Sequence, residues 1–191
     1  VKLAPNPLFP ALFCEKREHG LVERGVAMTC RERLEAYLQA NQVHFEVQQH
    51  PIAFTAQSVA ESEHLPGDMM VKVVIVVADG EMMMLALPTS RRVDLAVLSE
   101  ILGAHEVRLA DEPEFAAAFP DCEVGAMPPF GNLFGLPVYV DEALTEDEII
   151  FFQAGTHTET MSMRYADFDR LVRPMVAEFA LHRSAMVAPE W

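Results

Sequence analysis

Lys72 most demands a chemical explanation in this 191-residue chain. It is one of three lysines, with Lys2 and Lys16, and it interrupts the apolar run Met69-Met70-Val71-Lys72-Val73-Val74-Ile75-Val76-Val77. A central strand has no comfortable place for an ammonium group, because burying an unpaired charge costs several kcal/mol. Two readings stay open: the side chain snorkels to water from the strand start, or it enters a polar cavity to meet an anionic or carbonyl group of a ligand. The second candidate is Gly125-Ala126-Met127-Pro128-Pro129-Phe130-Gly131. Its prolines stiffen the backbone, and its terminal glycines allow positive φ or close approach. Such a loop can aim the N–H groups of Gly125, Ala126 and Met127 at an oxyanion or carboxylate; it can equally be a structural turn.

His157, in Gly155-Thr156-His157-Thr158-Glu159, follows a strand and suits a general base, a hydrogen-bond donor or a solvated loop position. The remaining histidines have no metal-ligand spacing; His44 and His50 share a strand parity that we read as chance, so neither metal nor cofactor is expected. Cys122 lies near the glycine loop without an adjacent base and reads as a packed free thiol. Arg91, Arg92, Arg108 and Arg164 could form a local basic patch or pair with surface carboxylates. There is no GxGxxG, P-loop, GxSxG, HExxH or EF-hand pattern, which argues against a dinucleotide enzyme, an NTPase or an ordinary serine hydrolase.

The balance of the chain narrows the partners. Fourteen Lys plus Arg against 29 Asp plus Glu give a net charge of −15. Such a surface repels nucleic acid over most of its area, so general DNA binding is a poor reading, while one cationic mouth on a nucleic-acid end remains open. No apolar stretch approaches the roughly 18 residues of a spanning helix, and no signal-peptide pattern opens the chain. Three cysteines without a CxxC pair suggest a reducing cytoplasm rather than a disulfide framework.

The elements that must position these residues alternate in type. Thr29-Cys30-Arg31-Glu32 is a capping-box sequence for a helix ending near Asn41. Val43–Gln49 alternates as a half-buried strand, Thr55 caps a short helix to about His64, and Pro66-Gly67 breaks it. Met69–Ala78 and Glu81–Leu87 flank Asp79-Gly80 as a hairpin. Arg91 and Arg92 fall in a turn before a helix at Asp94–Leu102, closed by Gly103. A short strand at His105–Leu109 precedes a helix from Asp111 to Phe119, and Pro120–Gly135 is irregular. Strands at Pro137–Asp141, Ile149–Gln153 and Thr160–Arg164 lead to a helix at Ala166–Val172 and a terminal helix after Pro174. The interleaved elements with a central hairpin predict a single α+β domain over residues 28–185, on a mixed sheet that can curl into an open barrel. Residues 1–27 read as a tail or arm and 186–191 as a tail.

Taken in order, these pieces resemble the YbaK/ProX family, free-standing relatives of the editing domain inserted in bacterial prolyl-tRNA synthetases. The resemblance runs from about Thr29 to Pro174. It rests on His50-Pro51 with Thr55-Ala56, Val71-Lys72, Leu87-Pro88 leading into Val93-Asp94-Leu95, and Leu102-Gly103. Phe119-Pro120-Asp121-Cys122-Glu123-Val124-Gly125 then runs into Pro128-Pro129-Phe130-Gly131, followed by Pro137-Val138-Tyr139-Val140-Asp141 and Gly155-Thr156-His157. The likeness implies a mixed, mostly antiparallel, barrel-like sheet surrounded by helices, and hydrolysis of the ester in a mischarged aminoacyl-tRNA, typically on tRNA for proline. Lys72 matches the lysine that positions the 3′-terminal adenosine or the aminoacyl group. Gly125, Pro128 and the residues between them match the segment facing the scissile carbonyl.

On that likeness Lys72 and Gly125 are the expected catalytic residues. Substrate contacts are expected from His50, Thr55, Ala126, Met127, Pro128, Pro129, Phe130, Gly131, Gly155 and His157, and tRNA contacts from Arg91 and Arg92. The expected partners are the acceptor end of aminoacyl-tRNA and a synthetase that delivers it, without DNA or membrane. Water attacks, assisted by the substrate's own 2′-hydroxyl, which agrees with the lack of a Ser/His or Cys/His pair. A non-catalytic module binding a small ligand or a partner protein in the same cavity is the alternative.

Overall fold

The computed structural model describes residues 28–50 and 69–182. The helix expected from Thr55 therefore lies outside the described residues.

Local signals set most of the elements. Thr29 Oγ1 accepts from Glu32 N–H at 3.2 Å and Glu32 returns a carboxylate to Thr29 N–H at 2.8 Å, so the capping box starts α1 at Cys30–Ala40. Leu34 and Leu38 bury its inner face. Strand β1 covers Phe45–Gln49. Strands β2 (Val71–Ala78) and β3 (Glu81–Pro88) meet at Asp79-Gly80, where both residues have positive φ (48° and 89°), as a two-residue hairpin turn requires. The Asp79 carboxylate accepts from Glu106 N–H at 2.8 Å and His105 N–H at 3.0 Å. These bonds, Glu106 first, hold its pKa below the ordinary value.

Strand β4 is Arg91–Val93, so the two arginines sit in a short strand and not in the expected turn. Asp94 caps α2 (Leu95–Leu102), and Gly103 ends it in the left-handed region. Then come β5 (Val107–Leu109), α3 (Glu112–Ala118), a 3₁₀ turn at Gly131–Leu133, β6 (Val138–Asp141), a second 3₁₀ segment at Glu142–Glu146, β7 (Ile149–Gln153), β8 (Glu159–Arg164) and α4 (Tyr165–Val172).

The helix expected after Pro174 is replaced by β9 (Met175–Ala177) and β10 (Ala180–His182). Arg173 stops α4 in the left-handed region, and β9 then pairs in parallel with β6 while β10 pairs antiparallel with β4. Unpaired strand edges decided this segment over its helical propensity.

The strands form a five-stranded sheet ordered β5-β2-β3-β6-β9, a three-stranded sheet β1-β8-β7, and the β10-β4 pair. Pairing is mostly antiparallel, with β3-β6 and β6-β9 parallel. The α+β expectation holds, but the sheets do not close, so the barrel-like description is too strong; one bridge, Met70 to Phe151, links the larger two. The Val-rich run of β2 is apolar on both faces because each face has a core. Val71 and Ile75 pack with Met84, Phe130, Phe152 and Phe168, and Val76 packs with Leu85, Leu87, Leu98, Leu102 and Phe179. Among the described residues, no helix is long and apolar enough to cross a membrane.

Candidate active site

Strand parity places Lys72 on the face of β2 shared with Val74 and Val76, at the strand's first turn of pleat. It is half-buried. Its ammonium donates to the carbonyl of Arg91, and to that of Thr89 at 3.4 Å. The described partners of Lys72 thus lie in the β3–β4 connection and at the start of β4.

The glycine loop faces a different neighbour. Glu123 N–H donates to Gly155 O and Gly155 N–H donates to Ala126 O, both at 2.9 Å, so the loop and the β7–β8 turn are locked backbone to backbone. Gly125 and Gly155 hold φ of 88° and 98°, a conformation side chains rarely tolerate. A Cβ on Gly155 would also lie 2.8 Å from Cys30 Cβ. His157 completes the lock. Its N–H donates to Glu123 at 2.7 Å, Nε2 lies 2.9 Å from Val124 O, and Nδ1 lies 3.4 Å from Gln153 Nε2. The carbonyl beside Nε2 is an acceptor, so that nitrogen carries a proton and donates to Val124 O. His50 joins the same place, its N–H donating to Thr158 O at 2.9 Å.

The structure therefore brings His50, Gly125, Ala126, Gly155 and His157 together, while Lys72 contacts a different connection. Strand β7 relates the two groups: Phe151 N–H donates to Met69 O at 3.0 Å, and Gln153, two residues on, reaches His157. Of the loop amides, Ala126 N–H is committed to Glu123 O at 3.0 Å, so it is not aimed outward as the sequence suggested. Among the described residues Gly125 N–H meets the Met127 thioether, at 3.2 Å, a weak acceptor.

Ala126 to Gly131 are buried. Phe130 is wholly inaccessible and contacts the rings of Tyr37, Phe152 and Phe168, so it packs the core behind the loop. Gly131 serves the same packing, since a Cβ there would meet Val138 at 2.7 Å. Arg91 is not a free cation for tRNA: its guanidinium lies 3.4 Å from the buried Asp141 carboxylate. Arg92 is exposed. Thr55 lies outside the described residues.

Cys30 and Cys122 form a disulfide, with Cα atoms 5.2 Å apart. This overturns the reading of Cys122 as a free thiol, and the pairing runs against the reducing compartment inferred from cysteine spacing. A separation of 92 residues leaves no local signature of the pair. The bond ties the first turn of α1 to the loop just before Gly125. Arg31 reinforces the tie, donating to Glu35 at 2.7 Å and to Glu159 on β8; the Glu35 hydrogen bond is the largest influence raising its pKa. Gln153 and Glu123 were also missed, although a polar residue ending the apolar run Ile149–Phe152 is a readable sign of a buried polar contact. Among the described residues, no group of three or more His, Cys, Asp or Glu is placed to hold a metal.

A family model described as "Aminoacyl-tRNA editing domain" matches residues 50–171. No curated protein matches the sequence. Among solved structures, the chain is similar to a candidate trans-editing enzyme for prolyl tRNA synthetase. The TM-score is 0.71 at 21% identity, over 82% of this chain and 99% of that one. It is similar also to a protein described only as hypothetical, with TM-score 0.72 and 19% identity over 78% and 100% of the two chains. A scaffold used for computational epitope grafting gives 0.70 and 22% over 80% and 97%. At such identities these likenesses speak to the fold alone.

Proposed function

This chain belongs to the aminoacyl-tRNA editing domain family, and we propose that it is a trans-editing hydrolase that deacylates mischarged aminoacyl-tRNA, with tRNA for proline carrying a small wrong amino acid as substrate. The observation that carries the reading is the Gly125 amide: it stands on an exposed glycine in a backbone-locked loop, and among the described residues a thioether is its partner. An oxyanion is a far better acceptor than a thioether and displaces it without rearranging the backbone.

In this reading water attacks the ester carbonyl, the 2′-hydroxyl of the substrate's terminal ribose assists, and the 3′-oxygen leaves with a proton. Gly125 N–H stabilises the developing oxyanion. Lys72, on the β3–β4 side, holds the 3′-terminal adenosine end in preference to the reacting carbonyl, because its described partners lie away from the loop. His50, Gly155 and His157 border the amino-acid pocket with Ala126, Met127, Pro128 and Pro129, while Phe130 and Gly131 brace it from behind. Thr55 is carried in the same role by the family likeness, and Arg92 supplies a phosphate contact. An activated ester needs less assistance than an amide, so positioning and one oxyanion donor suffice. In this reading a synthetase delivers the charged tRNA.

One observation favours the rival reading, a non-catalytic small-ligand module: Ala126 N–H is already satisfied within the loop. A panel of tRNAs, each charged with alanine, serine, cysteine or another small amino acid, separates the two. Selective deacylation of one or two members is the expected result. Saturable binding of a free amino acid by calorimetry, with no turnover of any member, would assign the module instead.

A further inference from the structure

The reading above gives Lys72 the substrate end but leaves open what fixes its ammonium in place. The answer lies behind it. Asp141, the last residue of β6, has no exposed surface at all. Its carboxylate accepts from Ala180 N–H at 2.9 Å, Phe179 N–H at 3.1 Å and Ala143 N–H at 3.3 Å, and lies 3.4 Å from Arg91 Nη1. A buried carboxylate is tolerated only with such complete partnering. The sequence gives Asp141 no part in the ester chemistry, yet it joins three segments: β6, the β9–β10 connection and β4.

Arg91 is engaged at both ends. Its guanidinium lies against Asp141, and its backbone carbonyl accepts from Lys72. The second carbonyl on Lys72, that of Thr89, is anchored by Thr89 N–H to Met70 O at 2.9 Å. The β10 pairing, with His182 opposite Arg91, holds the far side of β4, and Asp141 secures the start of β10 through Ala180. We propose that Asp141 is a positioning residue: by holding Arg91 and the start of β10 it fixes the carbonyl that orients the Lys72 ammonium. The proposal rests on Lys72 being the lysine that meets substrate.

The scarcity of lysine makes this measurable without substrate. Competitive acetylation with acetic anhydride, read by mass spectrometry, reports Lys72 against Lys2 and Lys16 as internal references. In the full chain, Asp141→Asn is expected to raise the relative reactivity of Lys72 about tenfold, the scale of one lost charge-assisted hydrogen bond. Arg91→Met should do the same, Arg91→Lys should restore much of the wild-type value, and Glu114→Gln on α3, paired to Arg108 of β5, should change nothing. Circular dichroism establishes that each variant is folded. Should Asp141→Asn not fold, Arg91→Met, which leaves three backbone donors on Asp141, carries the same prediction.

On a hydrolysed aminoacyl-tRNA, Asp141→Asn should lower kcat more than it raises KM. Folded variants with wild-type Lys72 reactivity and kcat overturn the proposal. Wild-type protein that turns over no aminoacyl-tRNA, with Lys72 reactivity still rising in Asp141→Asn, overturns the editing reading and leaves the positioning intact.

Discussion

Arg108 and Glu114 form a two-point ion pair, with both nitrogen–oxygen distances 2.8 Å, on the outer side of β5 and α3. That pairing, helped by Asp111 N–H, holds the Glu114 carboxyl at about 2. A depressed carboxyl stabilises the fold fully above its unfolded value, near 4.5, and its contribution shrinks as the pH falls toward 2. A carbon-detected NMR titration should show Glu114 ionised at pH 3.5, and Arg108→Gln should move its midpoint up toward the ordinary value. At the candidate site, His157 makes three contacts that hold the loop on the β7–β8 turn. His157→Ala is expected to lower kcat/KM by about 10–100-fold through lost positioning. An unchanged kcat/KM would remove His157 from the site. Gly155→Ala meets both a positive φ and the Cys30 side chain 2.8 Å away, so it should cost about 1–3 kcal/mol in chemical denaturation.

The elements that were legible in the sequence are those with local chemistry. Thr29 with Glu32, Asp79-Gly80, and Asp94 with Gly103 each satisfy their own backbone groups, so α1, the β2–β3 hairpin and α2 fall where the residues put them. Strands β4, β9 and β10 have three residues each, and distant edges decide their pairing, so local residue types did not reveal them. The same division holds at the site. Lys72 was readable as a charge in an apolar run, whereas Asp141 and Gln153 were missed, although each is the polar end of an apolar strand. The Cys30–Cys122 bond was not readable, because it closes a 92-residue separation. Cross-linking over that distance removes about 4–5 kcal/mol of chain entropy from the unfolded state. Cys122→Ser, or reduction of the native protein, should therefore lower Tm clearly by circular dichroism. Equal melting curves with and without reductant would show that the bond contributes nothing to stability.

At the scale of the whole molecule, a net charge of −15 restricts how nucleic acid can be held. With Arg91 tied to Asp141, few cations near Lys72 remain to meet phosphate. Each neutralised phosphate contributes about 0.7–0.9 to the slope of log affinity against log salt. Binding of tRNA for proline should therefore show a slope of only about 2–3 in magnitude, measured by filter retention, and a slope near that of general nucleic-acid binders would contradict a grip confined to the acceptor end. Lys72 is the residue on which editing by this chain depends most directly. The direct test is single-turnover hydrolysis of the best mischarged tRNA by wild type and Lys72→Ala at equal folded concentration. A fall of at least about 100-fold, with unchanged circular dichroism, is the predicted result. Hydrolysis by Lys72→Ala at the wild-type rate would contradict it.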